Sequence, residues 1–233
     1  MKKNLIVTIL LLIGIVVVEY LVWSKVVEPK KVQDYDLKKA KELVDKFYTD
    51  DYIVSSNVFK DGMTEKYMMS MSFNEAKSKL KEVECSELYA DKTKDSDGII
   101  VNDGAYCDGK TNTIKYEDLE KSYKDLFGKK SVLVKRTIGI FDYIEDKNIF
   151  AYLSCRCGGA DTKKYIYDVK DAKLKGSNLT INVYYYEYEP EEGEEEIDTK
   201  KFISENKDKM STYKMSFKKE NGKFKLLEVK KVS

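Results

Sequence analysis

The hydrophobic period of this chain changes once, near residue 131, and that change limits the fold more than any other feature. Before it, apolar side chains recur at steps of three and four, the spacing of one helix face. Leu37, Ala40, Leu43, Val44 and Phe47 form one such stripe, and Tyr116, Leu119, Tyr123, Leu126 and Phe127 form another. From Ser131 the step is two, first in Val132, Val134 and Ile138, then in Tyr165, Tyr167 and Val169. Leu179, Ile181, Val183 and Tyr185 continue the alternation, as do Tyr213, Met215 and Phe217. Helices first and an antiparallel meander after them predict an α+β domain, with helices packed on one face of the sheet.

Local signals place the boundaries. Asp36 is suited to cap the first helix, and Gly128 is placed to end the helix at 116–127. Between them, residues 63–82 read as helical, with Met63, Tyr67, Met68 and Met71 on one stripe. Ser72-Phe73-Asn74-Glu75 has the form of a capping box and predicts a break near residue 72. Residues 83–113 carry three Asp-Gly pairs and little periodicity, so loops with one or two short strands are expected there. Asp146-Lys147-Asn148 and the "KGSN" at 175–178 read as turns, and Asn221-Gly222 is a strong hairpin signal.

The N-terminus follows another logic. Lys2 and Lys3 precede residues 5–23, a stretch that is apolar apart from Thr8, Gly14 and Glu19 and carries Tyr20 and Trp23 near its far end. Its length approaches that of a bilayer-spanning helix, and such rings favour the lipid–water interface. We expect a transmembrane anchor over residues 1–24, a linker over 25–35 that includes Pro29, and a folded domain over 36–233. A cleaved signal peptide is the rival reading. The first cysteine is Cys85, which excludes a lipid-anchored form. Lys25, Lys30, Lys31, Lys38 and Lys39 follow the run and, by a simple charge count, would keep the domain inside. Long domains cross regardless of such charge, so the expected location is the cell membrane, single-pass, with the C-terminal domain extracytoplasmic.

Composition excludes several functions. Forty-two basic residues against 41 acidic ones leave a net charge of +1, so nothing favours nucleic acid as a partner. Arg136 and Arg156 are the only arginines, which removes most capacity for bidentate phosphate contacts. Such lysine bias, with abundant Tyr, Ile and Asn, fits an AT-rich genome. The chain contains no histidine. Ser-His-Asp and Cys-His catalysis are therefore impossible, as is a His-ligated zinc, haem or copper site. No catalytic residue, metal or cofactor is expected.

Cys155 and Cys157, one residue apart in "LSCRCGG", are the sharpest local feature. In an extended strand their Cα atoms would lie about 6.6 Å apart, at roughly 3.3 Å per residue, the upper limit for a disulfide. Each therefore pairs more easily elsewhere, with Cys85 and Cys107 as the candidates. Structural disulfides are the favoured role for Cys85, Cys107, Cys155 and Cys157. All three connectivities remain open. A thiolate metal site, a redox pair and free thiols are the alternatives.

Other constellations carry ordinary readings. Residues 187–196 hold seven glutamates, which suits a solvated loop better than a cation site. Asp95, Asp97 and Asp103 fit no EF-hand register. Met63, Met68, Met69 and Met71 read as core filler rather than a copper site. Tyr184, Tyr186 and Tyr188 fall on one strand face and are the ligand-contact candidates, because exposed aromatic rings are favoured at interfaces. A half-buried sheet face is the ordinary alternative.

The order of elements over residues 116–231, closing on "YKMSFKKENGKFKLLEVKKV", resembles the NTF2-like and cystatin-like α+β folds. That resemblance implies a curved antiparallel β-sheet wrapped around helices. The apolar N-terminus, lysine bias and "CGG" segment resemble uncharacterised membrane-anchored exported proteins of low-GC Gram-positive bacteria. Neither resemblance brings catalytic residues, and such folds host many functions. Two functions follow as expectations. The first is a non-enzymatic, membrane-tethered extracytoplasmic domain that binds a protein or cell-envelope ligand. The second is a carboxylate-only hydrolase, such as a glycoside hydrolase, which needs two acids within about 10 Å in an open cleft.

Overall fold

The computed structural model describes residues 31–49, 56–102, 104–155, 164–189 and 198–233. The described residues open with β1 (Val32–Asp34), α1 (Leu37–Phe47), β2 (Tyr48–Thr49), β3 (Ser56–Asn57), α2 (Val58–Asp61) and α3 (Glu65–Glu75). Next come β4 (Lys81–Glu84), α4 (Cys85–Leu88), β5 (Ile99–Asn102), β6 (Ala105–Cys107), β7 (Lys110–Lys115) and α5 (Tyr116–Phe127). Then follow β8 (Phe141–Ile144), β9 (Ile149–Tyr152), β10 (Ser154–Cys155), β11 (Lys164–Lys175) and β12 (Asn178–Tyr188). The chain closes with α6 (Thr199–Asn206), β13 (Ser211–Glu220) and β14 (Lys223–Lys231).

The long strands form a five-stranded antiparallel sheet in the order β1-β11-β12-β13-β14. Strict alternation on β12 decides its inner face. Leu179, Ile181, Val183 and Tyr185 are buried, whereas Thr180, Asn182, Tyr184 and Tyr186 point to the other side. Met215, Phe217 and Leu226 extend the inner face across β13 and β14. Onto it pack Ala40, Val44 and Phe47 of α1 with Leu119, Tyr123, Leu126 and Phe127 of α5. Asp36 caps α1 by accepting from the Lys39 amide at 2.8 Å, and Gly128 ends α5 with φ +93°. The 3.6-residue stripes thus meet the two-residue stripe, and the main core lies between them.

Several expectations need correction. The fold is not built on one curved sheet. A four-stranded sheet, β4-β7-β9-β8, and a three-stranded sheet, β10-β6-β5, stand beside the five-stranded one. No helix among the described residues is long and apolar enough to cross a membrane, and residues 5–23 lie outside them. Residues 32–34, read as linker, pair with β11 as an edge strand. The region read as mostly loop at 83–113 contains β5, β6 and β7 as well as α4.

Two local signals were also misread. The alternation at 131–138 forms no strand, since Val132 is 71% exposed and only Ile138 bridges, to Phe141. An alternating pattern makes a strand only where a partner backbone is available. The helix over 63–82 does not break at residue 72. Thr64 caps α3, accepting from the Tyr67 amide at 3.2 Å, and the helix runs on to Glu75. The Ser72 hydroxyl donates back to the Met68 carbonyl at 2.7 Å, the habit of a mid-helix serine rather than a cap.

Candidate functional site

The five-stranded sheet has two unlike ends. At one end lie the β11–β12 and β13–β14 turns, which touch through the Lys219 amide and Ser177 carbonyl at 2.7 Å. The other end, where β12 finishes and β13 starts, is rich in tyrosine on both faces.

On the inner face, Phe59 from α2 is the centre of an aromatic cluster. Its ring lies 5.0 Å from Tyr185, 5.2 Å from Tyr213 and 6.0 Å from Tyr167. Tyr165 stacks on Tyr185 at 5.9 Å, and Tyr48 leans on Tyr167 at 4.5 Å. Asn57 sets this arrangement. Its side-chain oxygen caps α2, accepting from the Phe59 amide at 3.0 Å, while its side-chain nitrogen donates to the Tyr185 hydroxyl at 2.9 Å. The cap that starts the helix therefore also positions the most buried phenol of the cluster. At the rim, the Tyr167 hydroxyl donates to Asp45 at 3.0 Å and the Lys41 ammonium lies 4.0 Å above the Tyr167 ring. Burial pushes the Tyr185 phenol well above its ordinary value, the Asn57 donor opposes this, and the Glu187 charge adds to the rise. Burial and Glu187 likewise raise Tyr213. These phenols stay neutral near pH 7 and act as hydrogen-bond partners, not as phenolate nucleophiles.

On the outer face lie the sequence candidates. Tyr184, Tyr186 and Tyr188 are partly buried, sharing a small cluster with Ile166, Ile203 and Met210. Tyr186 meets Phe202 of α6 at 5.0 Å, and Lys170 lies 5.2 Å above Tyr184. Asp198 anchors α6 by accepting from the Lys200 and Lys201 amides at 3.0 and 3.1 Å. The three rings share one face as expected, and α6 covers part of it. No family model, curated protein or solved structure matches this chain. The site therefore stands on its own chemistry: planar faces for stacking, with hydroxyls at their edges.

The cysteines form disulfides as expected, and among the connectivities left open the structure decides against pairing Cys85 and Cys107 with Cys155 and Cys157. Cys85 and Cys107 bond to each other, with Cα atoms 5.7 Å apart, so neither is available to Cys155 or Cys157. Cys85 opens α4 and Cys107 ends β6, and the ladder joining β4 to β7 brings these two neighbours together. Cys155 is also disulfide-bonded, while Cys157 lies outside the described residues. Among the described residues no group of His, Cys, Asp or Glu side chains is placed to hold a metal ion.

A second concavity, of about 340 Å³, runs between α5 and the β13–β14 hairpin. Three of its acids are committed to neighbouring lysines, and the fourth, Glu117, accepts from the Asn148 side-chain amide at 2.6 Å. Glu120 pairs with Lys124 at 2.7 Å, Asp125 with Lys225 at 3.2 Å and Glu220 with Lys218 at 3.8 Å. The Lys124 hydrogen bond holds the Glu120 carboxyl below its ordinary range, opposite to what a general acid at neutral pH requires. Lys225, only 4% exposed, also donates to the Asp125 carbonyl and ties the hairpin to the helix.

Sequence reasoning found the outer tyrosines and missed the inner centre. Phe59 and Asn57 come from a short segment with no periodicity of its own. The available signal was Asn57 standing before Val58-Phe59, a cap residue beside large apolar ones.

Proposed function

We propose that this protein is a non-enzymatic, extracytoplasmic interaction domain. The apolar run at residues 5–23 serves as its membrane tether, and the tyrosine-rich end of its sheet contacts a protein or cell-envelope ligand. One observation carries the reading: half-buried rings gather on both faces of that sheet end, with hydroxyls at their edges. Such amphipathic rings give large contact area at low entropic cost. The disulfides support an oxidising location. The ion-paired acids of the α5 groove favour binding over hydrolysis.

Protease added to intact cells tests the location. Digestion of the domain before lysis is expected, whereas protection until lysis would overturn it. Sedimentation with purified cell envelopes tests the surface. Wild-type protein should co-sediment, and Tyr184→Ala with Tyr186→Ala should lower the bound fraction roughly tenfold, the scale of losing one anchoring aromatic. Unchanged sedimentation of the double variant would remove Tyr184 and Tyr186 from the site.

A further inference from the structure

We infer that the turn end of the five-stranded sheet, opposite the tyrosine-rich end, seats on anionic lipid headgroups. The inference rests on the membrane tether proposed above. It adds a docking face and an orientation.

The path of the chain is the first observation. β1 pairs Val32 with Lys175 and Asp34 with Lys173, so the chain arrives at the tip of the β11–β12 hairpin and runs inward from there. Residues 24–31 separate the apolar run from β1. Eight residues span at most about 28 Å at full extension. A bilayer holding residues 5–23 therefore lies within about 28 Å of this end of the domain.

Charge is the second observation. Lys31, Lys175, Lys218, Lys219 and Lys223 are all exposed there, and Lys129 and Lys130 follow α5 onto the same end. The Lys129 amide donates to the Glu220 carboxylate at 3.4 Å, which places that loop beside the second turn. The nearby acids are engaged: Asp34 by Lys173, and Glu220 by Lys218 at 3.8 Å. Lys31, Lys175 and Lys223 make no ion pair among the described residues. At the far end of β12 the charge is mixed, with Glu187 and Glu189 near Lys164, Lys200 and Lys207. The lysines of the turn end are the ones that stand on the tether's side of the domain. Lysines within a Debye length of an anionic bilayer are attracted to it, and acids at the opposite end are spared repulsion. Exposed Val32 (60%) lies at the same tip and offers a small apolar contact at the interface.

Residue-resolved acetylation of the full chain tests this. The protein is placed in nanodiscs of phosphatidylcholine alone, or of phosphatidylcholine with phosphatidylglycerol, and mass spectrometry follows each lysine. In the anionic discs Lys175, Lys218, Lys219 and Lys223 should react several-fold more slowly, and high salt should abolish that protection. Lys200 and Lys207, at the opposite end, should react equally in both. Equal rates for the first group would overturn the inference. Equal protection by soluble polyphosphate in phosphatidylcholine discs would also overturn it, because the occupant would then be a soluble polyanion. Retention in the discs reports the tether separately. For a chain not retained, flotation with phosphatidylglycerol vesicles tests the lysine face alone. Absence of flotation, or flotation that survives Lys175→Glu, Lys218→Glu and Lys223→Glu together, overturns the inference.

Discussion

The main core and the disulfide unit show two ways of holding a chain together. The main core buries large rings, among them Phe47, Tyr67, Phe73, Phe127 and Phe217, between three helices and the five- and four-stranded sheets. The disulfide unit buries only Cys85, Tyr89, Ala105, Cys107 and Leu153 around the short strands β5, β6 and β10. So few side chains remove too little apolar surface to offset the ordering of their turns. The unit adds the Cys85–Cys107 link, the disulfide of Cys155 and the Tyr89 hydroxyl, which donates to Asp142 of β8 at 3.0 Å. Where burial is large, stability is diffuse and apolar. Where it is small, stability is concentrated in a few bonds.

If the comparison holds, substitutions in the two regions should differ in size and reach. The largest effect belongs to Phe127→Ala. Its ring meets Tyr123 at 5.4 Å, Phe47 at 6.1 Å and Tyr67 at 6.4 Å. Truncation should cost about 3–5 kcal/mol in denaturant unfolding. A change within about 0.5 kcal/mol would put Phe127 on the surface and break the main-core account.

Removing the link by Cys85→Ala with Cys107→Ala comes next. The bridge joins residues 22 apart, and its loss should cost about 3 kcal/mol. Amide exchange should quicken over 85–107 and stay slow over 116–127. Equal acceleration in both would show that the two regions unfold together.

Gly98→Ala should cost about 2 kcal/mol, as for a strained backbone position. Gly98 has φ +135°, and a Cβ there would lie 2.5 Å from the Cys107 carbonyl oxygen. A neutral result would mean that the β5–β6 hairpin yields freely. The smallest expected loss is about 1 kcal/mol for Tyr89→Phe, one hydrogen bond to a carboxylate that Thr137 still satisfies at 2.6 Å. A larger loss would make Tyr89 the principal lock between the unit and the four-stranded sheet.

The two regions were also unequally legible. The α1 and α5 stripes, the β11–β12 pair and the Asn221-Gly222 hairpin could be read directly, because each needs only local period and turn chemistry. Leu37 shows the limit even there. It fits the α1 stripe yet is 52% exposed, since its position in the first turn lies beyond the sheet it would pack on. The disulfide unit was illegible. Its strands are two to four residues long, too short to show a period, and β10 joins β6 from a distant segment. The candidate site was half legible. Tyr184, Tyr186 and Tyr188 share a face by alternation alone, but that α6 would cover part of that face was not encoded in the alternation.

Sequence by itself determined where the two long amphipathic helices lie, that histidine is absent, and which side of each long strand is apolar. These properties follow from the residues and the fixed periods of helix and strand. Tertiary structure alone decided that Cys85 pairs with Cys107 and that β1 returns to the edge of β11. It also decided that Asn57 supports Tyr185 across 128 positions, and that the lysine-rich turns gather at one end. Each of these depends on which distant segments become neighbours, and that is set by how several faces pack at once. No single face carries that information.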